Sequence, residues 1–125
     1  MDKSIFELII EGKLPSLKIY EDENFVAFLD KFPKQKGHTL VVPKKKSLNI
    51  IEDSDFVKEN ILKIGSKIAQ ILIQKLNATG IKMIINNGKS AGQVVFHTHL
   101  HLIPYYEIEQ EKINNVETLK EILGE

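Results

Sequence analysis

The sequence predicts an α+β domain, and three observations carry that expectation. Short β-branched or aromatic runs, such as residues 25–29 and 38–43, are bounded by turn-forming residues, as strands are. One long run, with Val57, Ile61, Ile64, Ile68, Ile71, Leu72 and Leu76 at spacings of three and four, repeats as a half-buried helix does. The chain has 125 residues, 42% of them hydrophobic, enough for one core without covalent staples, and no cysteine is present to supply any. A single domain over residues 1–125 is therefore expected, with no internal repeat or low-complexity tract to divide it.

The first element follows from Ser4 and Glu7, whose spacing is that of a capping box. Ile5, Phe6, Leu8, Ile9 and Ile10 then read as a short helix that ends at Gly12, before Pro15. A hairpin-like pair comes next, residues 17–20 and 25–29, around the polar turn Glu21-Asp22-Glu23-Asn24, with Asp30 closing the second strand. After a loop over 31–37, broken by Pro33 and Gly37, residues 38–43 form a strand stopped by Pro43 and followed by Lys44-Lys45-Lys46. The long helix runs from Ser54 or Asp55 to Leu76. Gly65 inside it costs about 1 kcal/mol relative to alanine, which points to a close neighbour there. Asn77-Ala78-Thr79-Gly80 ends this helix, and a strand over 81–85, a loop over 86–92 and a strand over 94–103 follow. The tail, 116–123, reads as a last short, charged helix that would need a partner to order it. Five strands and two main helices result.

Charge narrows the function. Lys and Arg number 17 and Asp and Glu 17, so the chain lacks the cationic excess of a protein that binds nucleic acid through its phosphates. Absent cysteine removes thiol catalysis and cysteine-based zinc sites, and suits a reducing compartment. Met1-Asp2-Lys3-Ser4 leads into a short amphipathic segment with no long apolar stretch, so neither a signal peptide nor a membrane span is expected. Cytoplasm is the expected location.

His97, His99 and His101 alternate within residues 94–104. On a strand they share one face while Phe96, Thr98, Leu100 and Leu102 line the other, leaving three groups that titrate near neutrality facing outward from a stiff support. Two chemistries fit. Any three of His97, His99, His101 and His38 could ligate zinc and leave a position open. Alternatively one imidazole attacks phosphorus while its neighbours hold phosphate oxygens and protonate the leaving group. Spacing alone does not separate them.

The run His97-Thr98-His99-Leu100-His101-Leu102-Ile103 resembles the signature of the histidine triad (HIT) family. The likeness extends through Ser4-Ile5-Phe6, Glu11-Gly12-Lys13-Leu14-Pro15, Tyr20-Glu21-Asp22-Glu23, Phe28-Leu29-Asp30, His38-Thr39-Leu40-Val41-Val42-Pro43-Lys44-Lys45, Asn86-Asn87-Gly88 and Ala91-Gly92-Gln93. It covers about residues 4–104, leaving a tail over 105–125, and is similar above all to the Hint branch of nucleoside phosphoramidases. The resemblance implies a HIT fold with a five-stranded antiparallel sheet, a homodimer whose sheets join, and neither cofactor nor metal. It implies a hydrolase that cleaves the P–N bond of purine nucleoside 5′-phosphoramidates or adenylylated compounds. His99 would be the nucleophile, forming a nucleotidyl-histidine that water resolves to the nucleoside monophosphate. His101 would contact phosphate or leaving group, and His97 and His38 would orient the nucleophile through hydrogen bonds.

By the same match Ile5, Phe6, Phe28 and Leu29 would take the base, and Asp30 the ribose hydroxyls. Asn86, Gly92 and Gln93 would form the phosphate loop, where backbone N–H groups can approach an anion. Val94 stands where the branch often presents a hydroxyl near the phosphate, and Thr98 where the family usually has a hydrophobic residue. Tyr105 replaces a basic residue frequent in other branches. Ser4 and Glu7 stand where some relatives carry a Cys-x-x-Cys zinc pair, so no structural zinc is expected. Hydrolysis of dinucleoside polyphosphates and nucleotide binding without turnover are the alternatives.

Overall fold

The computed structural model describes residues 3–125, so Met1 and Asp2, on which part of the N-terminal expectation rests, lie outside it. The elements in order are α1 (Ile5–Ile10), β1 (Lys18–Glu21), β2 (Phe25–Leu29), β3 (Thr39–Pro43), α2 (Asp55–Leu76), β4 (Gly80–Ile84), β5 (Leu100–Tyr105) and α3 (Val116–Leu123), with a single 3-10 turn, Lys89–Ala91, before β5. The strands form one antiparallel sheet in the order β1-β2-β3-β5-β4. The α+β class and the five-stranded antiparallel sheet are as predicted. None of the described helices is long and apolar enough to cross a membrane.

Local chemistry accounts for the element ends. Ser4 Oγ accepts the Glu7 N–H at 3.1 Å while Glu7 Oε1 accepts the Ser4 N–H at 2.9 Å, so the expected capping box starts α1. Asp22 Oδ1 accepts the N–H groups of Asn24 and Phe25, both at 2.7 Å, and turns β1 into β2. Ser54 caps α2, and Asn77 ends it in the left-handed region at φ 60°.

Both faces of the central strands are covered, which is why β2 and β3 are buried throughout. On one face Phe25, Ala27, Leu29, Val41, Leu100 and Leu102 pack against α2. Each of these but Ala27 contributes about 1.5–3 kcal/mol by leaving water. Gly65 meets its expected neighbour here, since a Cβ on it would lie 2.5 Å from Leu100 Cδ2. The other face carries Val26, Phe28, Leu40 and Val42 under Phe6 and Ile9 of α1. His38 and His101 have the parity of this second face.

Two expectations need correction. The histidine strand begins at Leu100, not at 94, because its partners end there: β3 pairs with it only from Thr39 to Val41 and β4 only as far as Ile84. Residues 95–97 bend instead, and Phe96 is half exposed, not part of the core. The tail helix α3 finds its packing partner within the chain, lying on α2 and β1 with Thr118 and Ile122 buried.

Candidate active site

The bend before β5 brings His97 and His99 back over the second face, beside His101 of β5 and His38 just ahead of β3. All four imidazoles meet within one neighbourhood: ring centroids lie 4.9 Å apart for His99 and His101, 5.2 Å for His38 and His101. They are not an outward-facing row. His38, His97 and His99 are buried and His101 partly so; Phe6 of α1 covers two of them, setting its ring edge-on to His99 at 4.9 Å and to His97 at 6.0 Å, and lies 5.7 Å from Phe28.

The partner of each ring nitrogen assigns its proton. His99 Nδ1 lies 2.7 Å from the His97 carbonyl, so Nδ1 donates and Nε2 keeps its lone pair, with no partner among the described residues. His97 Nε2 donates to the Pro43 carbonyl at 2.7 Å, which leaves His97 Nδ1 buried and unpartnered. His38 Nδ1 accepts the Lys34 N–H at 3.1 Å, so its proton sits on Nε2 and is given to His101 Nδ1 at 3.0 Å. His101 is thereby fixed as the Nε2–H tautomer, a donor. The expected orienting roles shift accordingly: His97 orients His99 through its carbonyl, not its ring, and His38 orients His101, not His99.

Burial pushes all four histidines below the ordinary imidazole value. Desolvation is the largest cause at each, taking His101 down to about 4, with His99, His38 and Lys34 adding repulsion there. The Asp30 carboxylate, 3.4 Å from His38 Nε2, opposes the shift at His38. At neutral pH the site holds neutral imidazoles, the state in which nitrogen is a nucleophile.

Donor atoms of Asp30, His38 and His101 lie within 4.8 Å of one another, close enough for a divalent ion to bridge. The hydrogen bonding opposes that use. Lys34 N–H occupies the His38 Nδ1 lone pair, so the proton on Nε2 stands where the ion would bind and has no vacant nitrogen to move to. The cluster is arranged to share a proton.

The other residues singled out from the sequence divide. Phe28 and Phe6 face the histidines, and Asp30 stands at the rim with Oδ1 accepting the Phe32 N–H at 2.9 Å. Leu29 belongs to the core against α2, so its side chain lies on the far side of the sheet; neighbours on a strand cannot share a face. Ile5 and Val94 are exposed, Val94 at 84%. Gln93 is buried with its carboxamide fully engaged, accepting from Gly88 N–H at 2.8 Å and donating to the Leu48 and Val95 carbonyls at 2.7 and 3.1 Å. The N–H groups of Ala91, Gly92 and Gln93 also donate within the loop, so these three amides are engaged by the chain itself. Gly92 takes φ +94°, a conformation that favours glycine, and the Asn86 carboxamide lies beside it, 3.6 Å from where a Cβ would be. Reasoning from residue types missed the backbone partners at Lys34 and Pro43, and Asn114, whose side chain reaches the segment holding Asp30 and His38.

Comparison with known proteins agrees with the fold. The model of the HIT domain matches residues 11–108. An uncharacterized HIT-like protein of Methanocaldococcus jannaschii is 44% identical over 128 aligned positions, covering 96% of this chain and 98% of the relative. Among solved structures, a Hit-like protein involved in cell-cycle regulation from Bartonella henselae superposes with a TM-score of 0.90 at 32% identity, covering 99% of this chain and 97% of its own. A hypothetical histidine triad nucleotide-binding protein from Sulfolobus tokodaii does so at 0.85 and 34%, covering 95% and 86%. Fold and site together define a small α+β domain built around a four-histidine centre. The chain belongs to the HIT domain family.

Proposed function

We propose that the protein is a nucleotide hydrolase that cleaves the P–N bond of purine nucleoside 5′-phosphoramidates or related adenylylated compounds through a nucleotidyl intermediate on His99. The observation that carries this reading is the His99 Nδ1–H bond to the His97 carbonyl, which leaves a neutral imidazole with its Nε2 lone pair free. Attack by that nitrogen on the α-phosphorus forms an N–P bond as the bond to the leaving amine breaks. The positive charge that develops on the ring is met by the same carbonyl. His101 Nε2–H hydrogen-bonds a phosphate oxygen or the departing amine, which takes its proton from solvent; water then attacks the intermediate, releases the nucleoside monophosphate, returns a proton to solvent and restores the ring.

Phe6 and Phe28 flank the purine, Asp30 accepts from the ribose, and Asn86 supplies a side-chain donor to the phosphate. A nucleotide-binding description of the Sulfolobus tokodaii neighbour supports that ligand class. The reading includes a single HIT domain over the whole chain, a cytoplasmic location, no metal requirement, and a homodimer. The dimer is supported by β4, an edge strand on which Met83 is 41% exposed, since open edges invite pairing.

The test is an assay of adenosine phosphoramidate and a diadenosine polyphosphate side by side, with and without exhaustive chelation. Higher kcat/KM on the phosphoramidate, unchanged by chelator, is expected. Activity lost on chelation and restored by one divalent ion contradicts the reading, and preference for the polyphosphate moves the protein to that substrate class.

A further inference from the structure

We propose that Asn114, in the tail beyond every motif of the sequence, is a positioning residue of the histidine site, holding the segment between Asp30 and His38 so that His38 meets His101. The inference rests on the reading of His38 and His101 as parts of the reaction site. One carboxamide has one acceptor atom and two N–H donors, and Asn114 uses all three on this segment. Its Oδ1 accepts the Gly37 N–H at 2.8 Å, and its Nδ2 donates to the carbonyls of Asp30 at 2.9 Å and His38 at 3.0 Å. The Asp30 N–H donates to the same His38 carbonyl at 2.8 Å, so the bonds close the neck of the loop.

The tail reinforces the grip on either side. Tyr106 Oη donates to the Lys36 carbonyl at 2.7 Å, and Lys36 Nζ pairs with Glu121 of α3 at 3.0 Å. Gly37, at φ +87°, is pressed so closely that a Cβ would lie 2.5 Å from Leu76 Cδ1. Between these anchors the loop has little core of its own: Lys31, Phe32 and Lys34 are exposed. Yet it supplies the Lys34 N–H that fixes the His38 tautomer, and through His38 that of His101. The groups around His101 are His38, Asp30 and Lys34 from this segment and His99 from the approach to β5. A tail that releases the segment loosens the first three together.

Imidazole nitrogen NMR of the full chain, without substrate, reads this directly. Wild type should show His101 as one Nε2–H tautomer that stays neutral down to about pH 4. Asn114→Ala should give a tautomer mixture with the His101 midpoint displaced toward 6.5. Asn114→Asp, which keeps an acceptor for Gly37 but has no proton for the two carbonyls, should do the same, and it serves if the alanine variant does not fold. Ile122→Ala, a tail variant that loses buried packing without touching the loop, should lower the Tm and leave the His101 signal as in wild type. A wild-type His101 signal in the Asn114 variants, or an equal change in Ile122→Ala, overturns the proposal. Turnover is measured separately: a wild type with this spectrum but no phosphoramidate hydrolysis counts against the proposed function only.

Discussion

His99 takes its tautomer from a backbone carbonyl, and a carbonyl has no residue-type signature. The sequence shows that His97, His99 and His101 share a neighbourhood; that His99 has the free Nε2 follows only once the bend at 95–97 places its Nδ1 on the His97 oxygen. The same limit hid Lys34 and Pro43, whose main-chain groups do the work. Leu29 is the opposite case, since period-two alternation already sets it across the sheet from Phe28. Asp30 carries the prediction at this scale. A carboxylate accepts from a vicinal diol, and charge-assisted bonds are worth about 1.5–3 kcal/mol, roughly ten- to a hundredfold in kcat/KM. Ribonucleotide substrates should be preferred over 2′,3′-dideoxy analogues by that factor, and Asp30→Ala should remove most of the preference. Equal treatment of the two sugars by wild type would leave Asp30 as the turn residue that caps Phe32.

Among the elements, α2 and β2 match their sequence boundaries because their apolar periodicity ends at a cap or a turn residue. β1 and β4 are displaced by one residue, since pairing and not residue type sets where a ladder stops. β5 differs most, for alternation continues toward His97 after β3 and β4 have ceased to pair. The α2–β5 contact is the most sharply testable. Gly65→Ala gains about 1 kcal/mol of helix propensity but drives a Cβ to 2.5 Å from Leu100 Cδ2 in a filled core, where overpacking costs about 1–3 kcal/mol. A net loss of up to about 2 kcal/mol in urea unfolding is expected, and a stabilised variant would show that the core has slack there.

Over the whole molecule, four desolvated histidines tie stability to pH. Each has a folded-state value below 6.5, so above that pH both states are neutral and the group contributes no pH dependence. As pH falls below 6.5 the unfolded chain takes up protons that the folded chain refuses, and stability declines until His101 itself protonates at about 4. Denaturation midpoints should fall through that window, and His101→Gln should flatten the slope. A midpoint independent of pH there would mean that the imidazoles are not desolvated. The tail belongs to this scale too: its final helix is visible as a pattern, but its hold on the Asp30–His38 segment spans 76 and 84 positions, beyond the reach of local reading.

The account turns on the covalent step at His99. Rapid-quench intact-mass analysis of the protein mixed with adenosine phosphoramidate, followed by peptide mapping, tests it most directly. The prediction is a transient adenylyl adduct on His99 that forms and decays at rates consistent with turnover, and that is absent from His99→Gly while AMP binding persists. Turnover at wild-type rate by His99→Gly, or an adduct mapped to another residue, would contradict the account.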